Sequence, residues 1–155
     1  MPEGAPEVDF DRTVIGVEYP VIEALPVTAQ LIIDFARALG EEDPIYWNEE
    51  AASKGRYGGL VAVPTFCTLF NIRFVSGGGP DLNFPYGTQT LEGGQSVENY
   101  LPIRPGDTLK ATTKIKDVFA KTGRAGTMLF ILHEDSFYNQ RGEKVSTVIR
   151  TLIRR

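Results

Sequence analysis

The chain has 155 residues, a formal net charge of −4, 42% hydrophobic residues and one cysteine. A domain of this length can bury a core without disulfide or metal staples, and its scattered basic residues exclude a broad phosphate-binding face, so no nucleic-acid partner is expected. Cys67, alone in an apolar run, fits a reducing, cytoplasmic setting; no apolar run approaches the ~18 residues of a membrane span, and the first residues do not read as a secretory leader.

Residues 1–12, "MPEGAPEVDFDR", read as a flexible arm and residues 13–155 as a single domain. Pro20 and Pro26 break the next stretch into short extended pieces. Thr28 suits the N-cap of a helix over "AQLIIDFARAL". In that helix Leu31, Phe35 and Leu39 recur every four residues with Ile32 and Ala36 beside them, and Gly40 fits its stop. Asn48 can cap a second, short helix over "EEAASK" that Gly55 ends, with Glu49 and Glu50 where the helix dipole favours negative charge.

The run "VPTFCTLFNIRFVS" follows. Pro64 suits a first helical position, and Arg73 is the only formal charge over residues 64–75. A helix that is apolar nearly all round must be surrounded by protein. The glycine-rich "SGGGPDLNFPYG" leads from that helix into strands, the reverse of a phosphate cradle, and is expected to be a mobile connector.

Four extended segments come next. "TQTLEGGQSVENYLP" carries Gly93-Gly94, which suits a bend or bulge. In "DTLKATTKIKDVF", Leu109, Ala111, Thr113 and Ile115 face one way and Lys110, Thr112, Lys114 and Lys116 the other. "GTMLFILHEDSFY" follows the turn "KTGRAG". After the turn "NQRGEK", Val145, Thr147, Ile149, Thr151 and Ile153 of "VSTVIRTLIRR" share a face. Short glycine turns between consecutive strands predict an antiparallel meander, and with the helices an α+β domain. An open sheet of five or six strands leaves edges that call for a second copy or a partner.

Between the first two helices, Glu41, Glu42 and Asp43 crowd against Pro44, Tyr46 and Trp47. Three carboxylates beside two aromatic rings make either an acid–base site or a polar loop. His133, the only histidine, lies in a strand-like run far along the chain and reads as a structural residue.

Three stretches, "VTAQLIIDFARALGEEDPIYWNEEAASKGRYGGLVAVPTF", "ENYLPIRPGDTLKATTKIKDVFAKTGRAG" and "MLFILHEDSFYNQRGEKVSTVIRTLIRR", carry a resemblance to a known family. The chain resembles the N-terminal, FAS1-like dehydratase branch of the MaoC family. That resemblance implies a hot-dog fold, a curved antiparallel β-sheet wrapped around one buried central α-helix. It also implies enoyl-thioester hydration or 3-hydroxyacyl-thioester dehydration, on acyl-CoA or acyl-ACP, with no cofactor and no metal. The active motif of the family runs glycine-aspartate-any-asparagine-proline-aliphatic-histidine. Placed on "GEEDPIY", it puts Glu41 at the aspartate position, Asp43 at the asparagine position and Tyr46 at the histidine position.

A tyrosine near pKa 10 is a poor proton shuttle at neutral pH, where a histidine near 6.5 serves well. The expected catalytic positions Glu41, Asp43 and Tyr46 therefore form a degenerate dyad. The thioester-binding half is implied at the start of the central helix, where the N–H groups of Val63 and Thr65 can face the carbonyl oxygen. Gly59 there can allow a close approach, and Trp47 either lines an acyl channel or packs the loop. Lys54, Arg56, Arg73, Lys121 and Arg124 are candidates for coenzyme A phosphates that the sequence does not rank.

The leading expectation is the substrate-binding half of a hydratase or dehydratase, active as a heterodimer with a hot-dog subunit that carries the intact dyad. The alternatives are a self-sufficient homodimer using Glu41 or Asp43 with Tyr46, an acyl thioesterase, and a non-enzymatic acyl-thioester binder.

Overall fold

Thr28 and Asn48 each sit three residues ahead of a backbone N–H that their side chains cap, and this local chemistry fixes both helices. Thr28 accepts from Leu31 N–H ahead of α1 (Ala29–Ala38), and Asn48 from Ala51 N–H ahead of α2 (Glu49–Lys54). Gly40, at φ +72°, closes α1: its N–H reaches Arg37 O while Glu41 N–H reaches back to Ala36 O. The buried stripe of α1 is Ile32 and Ala36; Leu39 lies at the cap, 54% exposed, because the helix has ended there.

The computed structural model describes residues 10–70, 87–124 and 126–155. Residues 71–75 of the expected central helix, with Arg73, and the connector up to residue 86 lie outside the described residues. The described start of that helix is a buried 3-10 segment, Phe66–Phe70, held by Phe66 N–H to Val63 O and Thr68 N–H to Thr65 O. The Thr68 hydroxyl donates to the same Thr65 carbonyl, which favours the tighter turn. Among the described residues no helix is long and apolar enough to cross a membrane.

Among the described residues five strands form one antiparallel sheet: β1 (Tyr19–Pro26), β2 (Thr90–Asn99), β3 (Thr108–Gly123), β4 (Gly126–Tyr138) and β5 (Lys144–Arg154), in the order β1-β3-β4-β5-β2. The expected meander holds for β3-β4-β5 only. β2 pairs with β5 at the far edge, and β1 with β3 at the other. The link from β2 to β3 is no tight hairpin. Its Tyr100 N–H bonds Val145 O, its Ile103 O accepts from Ala62 N–H, and its Gly106 N–H bonds Val27 O, so it runs across the end of the sheet. The bulge expected at Gly93-Gly94 is present, as a register shift between Glu92 and Gly94.

Cross-strand partners share a face. On β3 the inner set is Leu109, Ala111, Thr113 and Ile115, as expected; a bulge before Asp117 then resets the alternation, and the core continues on Val118 and Ala120. On β5 Thr147, Ile149, Thr151 and Ile153 share a face as expected, and Val145 does not join them. A register shift beside Phe137 places Val145 in the core and then gives the inner face to Ser146, Val148 and Arg150, because one extra residue reverses the side on which all later side chains point.

The inner face carries two apolar clusters. The first joins α1, the 3-10 segment and the sheet through edge-on rings, Phe35 to Phe66 at 5.7 Å and Phe66 to Phe70 at 5.6 Å between centroids, with Phe70 tilted against Phe137 at 6.0 Å. The second holds Ile115, Val118, Ala120, Leu129 and Ile131, covered by Phe10, Val14, Ile15 and Leu152.

Between the two clusters lies a buried ion pair. Arg150 Nε donates to Asp135 Oδ2 at 2.8 Å, its Nη2 lies 3.4 Å from Oδ1, and the Thr113 hydroxyl donates to Oδ1 at 2.6 Å. The two charged side chains are 4% and 0% exposed. Arg150→Met removes the counter-charge of a buried carboxylate and is expected to cost about 3–5 kcal/mol in urea unfolding. Arg150→Met combined with Asp135→Leu is expected to recover most of that loss.

Candidate functional site

In the "GEEDPIY" frame two carboxylates cap the backbone of a tight turn. Glu41 Oε1 accepts Asp43 N–H at 3.0 Å, and Asp43 Oδ1 accepts Ile45 N–H at 3.1 Å, which caps the 3-10 turn Pro44–Tyr46. Glu42 and Asp43 are exposed and Glu41 is half-buried. That turn delivers Tyr46 to the wall of a cleft of about 320 Å³. Burial raises the Tyr46 pKa above its usual 10, and nearby Tyr57 adds to this; Arg56 pulls the other way, and Asp43 and Glu41 push it up. The phenol is protonated throughout the neutral range and can donate a hydrogen bond but not accept a proton.

The opposite walls are residues 61–64, which lead into the central-helix segment, and residues 99–103, which leave β2. Asn99 Nδ2 donates to Pro64 O at 2.9 Å, and Ala62 N–H donates to Ile103 O at 2.9 Å, so the two walls are stitched together. Among the described residues, Val63 and Thr65 N–H make no hydrogen bond, while Ala62, Phe66 and Thr68 N–H do. Val63 lines the cleft; Thr65 is exposed and lies outside its lining.

A third wall carries Arg56 and Tyr57, just past α2. The Arg56 guanidinium lies 4.6 Å from the centre of the Tyr57 ring. Arg104 braces this segment from behind, its Nη2 donating to Tyr57 O at 2.9 Å. Arg104 is itself set by the "RPGD" turn: Asp107 N–H bonds Arg104 O, Asp107 Oδ2 accepts Arg104 N–H, and Gly106 takes φ +90° after Pro105. Gly58 supplies a left-handed φ of +64°. Gly59 is not needed for a close approach, since a Cβ there would meet only Arg104 Nη1 at 3.8 Å.

The structure thus brings Tyr46 and Val63 to one cleft, with Glu41 and Asp43 as electrostatic neighbours of Tyr46. Trp47, Gly59 and Thr65 are not in the lining. Trp47 packs on the first apolar cluster, and its indole Nε1 is buried without a hydrogen-bond partner among the described residues. Asn99 and Arg104 were not singled out from the sequence. Their roles depend on contacts across tens of residues that no local pattern reveals.

Two other reactive groups are inert. The Cys67 thiol is pushed up to about 12 by burial. His133 faces inward beside Arg150 on β4 and is not in the cleft lining; burial first, then Arg150, lowers its pKa to about 4, with Asp135 partly opposing. Among the described residues no group of three histidine, cysteine or acidic side chains could hold a metal.

A curved antiparallel sheet around a buried helical segment, with a cleft at that segment's start, is the hot-dog architecture of MaoC-like dehydratases. The chain belongs to the family of the FAS1-like, dehydratase domain region, whose model matches residues 13–148. It is similar to a UPF0336 protein of Streptomyces avermitilis, 30% identical over 150 residues that cover 94% of this chain and 95% of the relative. Among solved structures it is similar to the MaoC-like dehydratase of Rhodospirillum rubrum, at 25% identity and TM-score 0.66, covering 91% of this chain and 93% of that one. It is also similar to a chain of the C-terminally truncated HadBC complex, a 3R-hydroxyacyl-ACP dehydratase of Mycobacterium tuberculosis. There the identity is 25% and the TM-score 0.71, covering 90% and 96% of the two chains.

His133 titrates near 6.5 in an unfolded chain and near 4 when folded. In that window the unfolded state binds the extra proton, so the neutral histidine's contribution is complete above pH 6.5 and is lost as pH falls towards 4. Thermal unfolding of His133→Gln is expected to show a shallower loss of Tm between pH 6.5 and 4.5 than the wild type.

Proposed function

We infer that this chain is the acyl-binding subunit of an enoyl-thioester hydratase or 3-hydroxyacyl-thioester dehydratase, working on acyl-CoA or acyl-ACP beside a second hot-dog chain that carries the acid–base dyad. The observation that carries this reading is Tyr46. It stands where the family motif has histidine, in a frame two of whose three carboxylates are engaged as backbone caps, and its phenol is driven away from neutral titration. Hydration needs one group that takes a proton from water and gives one to the α-carbon near working pH. Tyr46 can orient a carbonyl or a water but cannot complete that cycle.

The binding half of the chemistry has better support. Val63 lines the cleft and its N–H makes no hydrogen bond among the described residues, so a thioester oxygen placed against it would gain a donor as enolate charge develops. The need for a partner is supported by the sheet edge. β2 is a long edge strand, exposed along nearly its whole length, without lysine or proline to blunt it. Residues 99–103, one wall of the cleft, continue directly from it, with Tyr100 47% and Leu101 40% exposed. A chain docked on that edge would close the cleft and bring its own residues to it. HadBC, to which this chain is similar, is a complex of two such chains.

The test is hydration of crotonyl-CoA by the purified chain, by a hot-dog chain bearing an intact aspartate and histidine, and by the two together. The expected result is turnover in the mixture at least about a hundredfold above this chain alone, the scale of general acid–base assistance. Leu101→Asp is expected to weaken the association. Enzyme-like turnover by this chain alone, abolished by Glu41→Gln, would overturn the assignment and favour the self-sufficient mechanism.

A further inference from the structure

We propose that Asn99 is the positioning residue of the thioester-binding backbone: by holding the Pro64 carbonyl it turns the Thr65 N–H away from the cleft and leaves the Val63 N–H as the one donor to the thioester oxygen. The inference rests on the acyl-thioester reading and assigns which group of that site meets the carbonyl.

At the start of the central segment, Val63 O accepts Phe66 N–H and Thr65 O accepts Thr68 N–H, both at 2.9 Å. These are the three-residue steps of a 3-10 turn. The step that belongs between them, Cys67 N–H to Pro64 O, is not made among the described residues. Pro64 O is taken instead by Asn99 Nδ2, at 2.9 Å and from 35 residues away. One side chain thus holds one peptide out of the ladder that its neighbours join.

The Pro64–Thr65 peptide is trans, so its C=O and N–H point to opposite sides. With the carbonyl drawn to Asn99, which lines the cleft, the Thr65 N–H is aimed away from that wall. Val63 and Pro64 accordingly lie in the lining and Thr65 outside it. Pro64 has no N–H to offer. On the other side of Val63, Ala62 N–H is committed to Ile103 O at 2.9 Å. Val63 therefore sits between two stitches to the same wall, one made by backbone and one by the Asn99 side chain.

Asn99 starts from a firm base. It is the last residue of β2, opposite Ser146 of β5. On one side of it Glu98 O accepts the Ser146 hydroxyl at 3.2 Å, and on the other Tyr100 N–H bonds Val145 O at 2.9 Å. An amide suits the task because it brings a donor to Pro64 O; a carboxylate of the same shape would set oxygen against oxygen. A misplacement of about 1 Å can cost a reaction about a hundredfold, so a side chain that fixes this backbone acts on the chemistry without touching the substrate.

The experiment follows the backbone amide protons of the full chain by proton–nitrogen NMR during titration with butyryl-pantetheine and with butyryl-CoA. The proteins are the wild type and its Asn99→Asp, Asn99→Leu and Asn99→Gln variants. In the wild type the Val63 amide proton is expected to move downfield on saturation while that of Thr65 stays in place. Asn99→Asp and Asn99→Leu should lose the Val63 shift and bind both thioesters about fivefold more weakly, the scale of one hydrogen bond, with the rest of the spectrum dispersed as before. Asn99→Gln, which keeps the donor, should keep part of the shift.

A Val63 shift that persists undiminished in Asn99→Asp and Asn99→Leu makes Asn99 a brace of the wall only, and the proposal falls. A wild-type response at Thr65 in place of Val63 also overturns it. Both results, with binding still saturable, leave the acyl-binding function standing. Where Asn99→Leu does not fold, Asn99→Asp and Asn99→Gln carry the same comparison. No saturable binding of either thioester by the wild type overturns both.

Discussion

A charged pair in the interior constrains this fold more than any apolar contact does. Asp135 and Arg150 face each other across β4 and β5, shielded from water and fixed by Thr113 from β3. A slip of one residue in either pairing would bury one of these charges without the other, at a cost far above that of any misplaced methyl group. The pair therefore specifies the register of the three central strands. Once that register is set, Phe137, Val148 and Ala111 form the floor on which Phe66, Cys67 and Phe70 rest. The position of the central segment, and so of the cleft at its start, follows from a decision made in the sheet.

The cleft is assembled from segments that have little regular structure. A 3-10 turn supplies Tyr46, a loop after α2 supplies Arg56, and the β2–β3 link supplies the remaining wall. Such segments hold their shape only if their backbone groups are satisfied, and here side chains do much of that work: Asp43 and Glu41 for the motif turn, Asn99 for Pro64, Arg104 for Tyr57. The carboxylates of Glu41 and Asp43 thus have a structural task of their own in "GEEDPIY", holding the turn that presents Tyr46.

What could be read in the sequence is what depends on near neighbours. The caps at Thr28 and Asn48, the stop at Gly40 and the bulge at Gly93-Gly94 all act within a few residues of themselves. The inner face of β3 followed from simple alternation until a bulge interrupted it. On β5 the place of Val145 is hidden, because the extra residue there sets it apart from the face of Thr147, Ile149, Thr151 and Ile153, and no composition signal marks it. The pairing of β2 with β5 was equally hidden, since alternation says which residues share a face and not which strand lies alongside. Within the site, the replacement at Tyr46 was legible from the motif alone. The distinction between Arg56 and Lys54, Lys121 and Arg124 was not, because it turns on which of them stands at the cleft.

Trp47 follows Tyr46 directly and is the only tryptophan of the chain. Its ring rests on the first apolar cluster and its N–H is buried without a partner among the described residues, one residue from the wall of the cleft. Indole emission is sensitive to polarity and to hydrogen bonding at that nitrogen, so fluorescence excited selectively at the indole, beyond the tyrosine absorption, comes from a single reporter beside the motif turn. The molecule carries its own optical gauge of whatever enters the cleft or settles over it, and no label need be attached to use it.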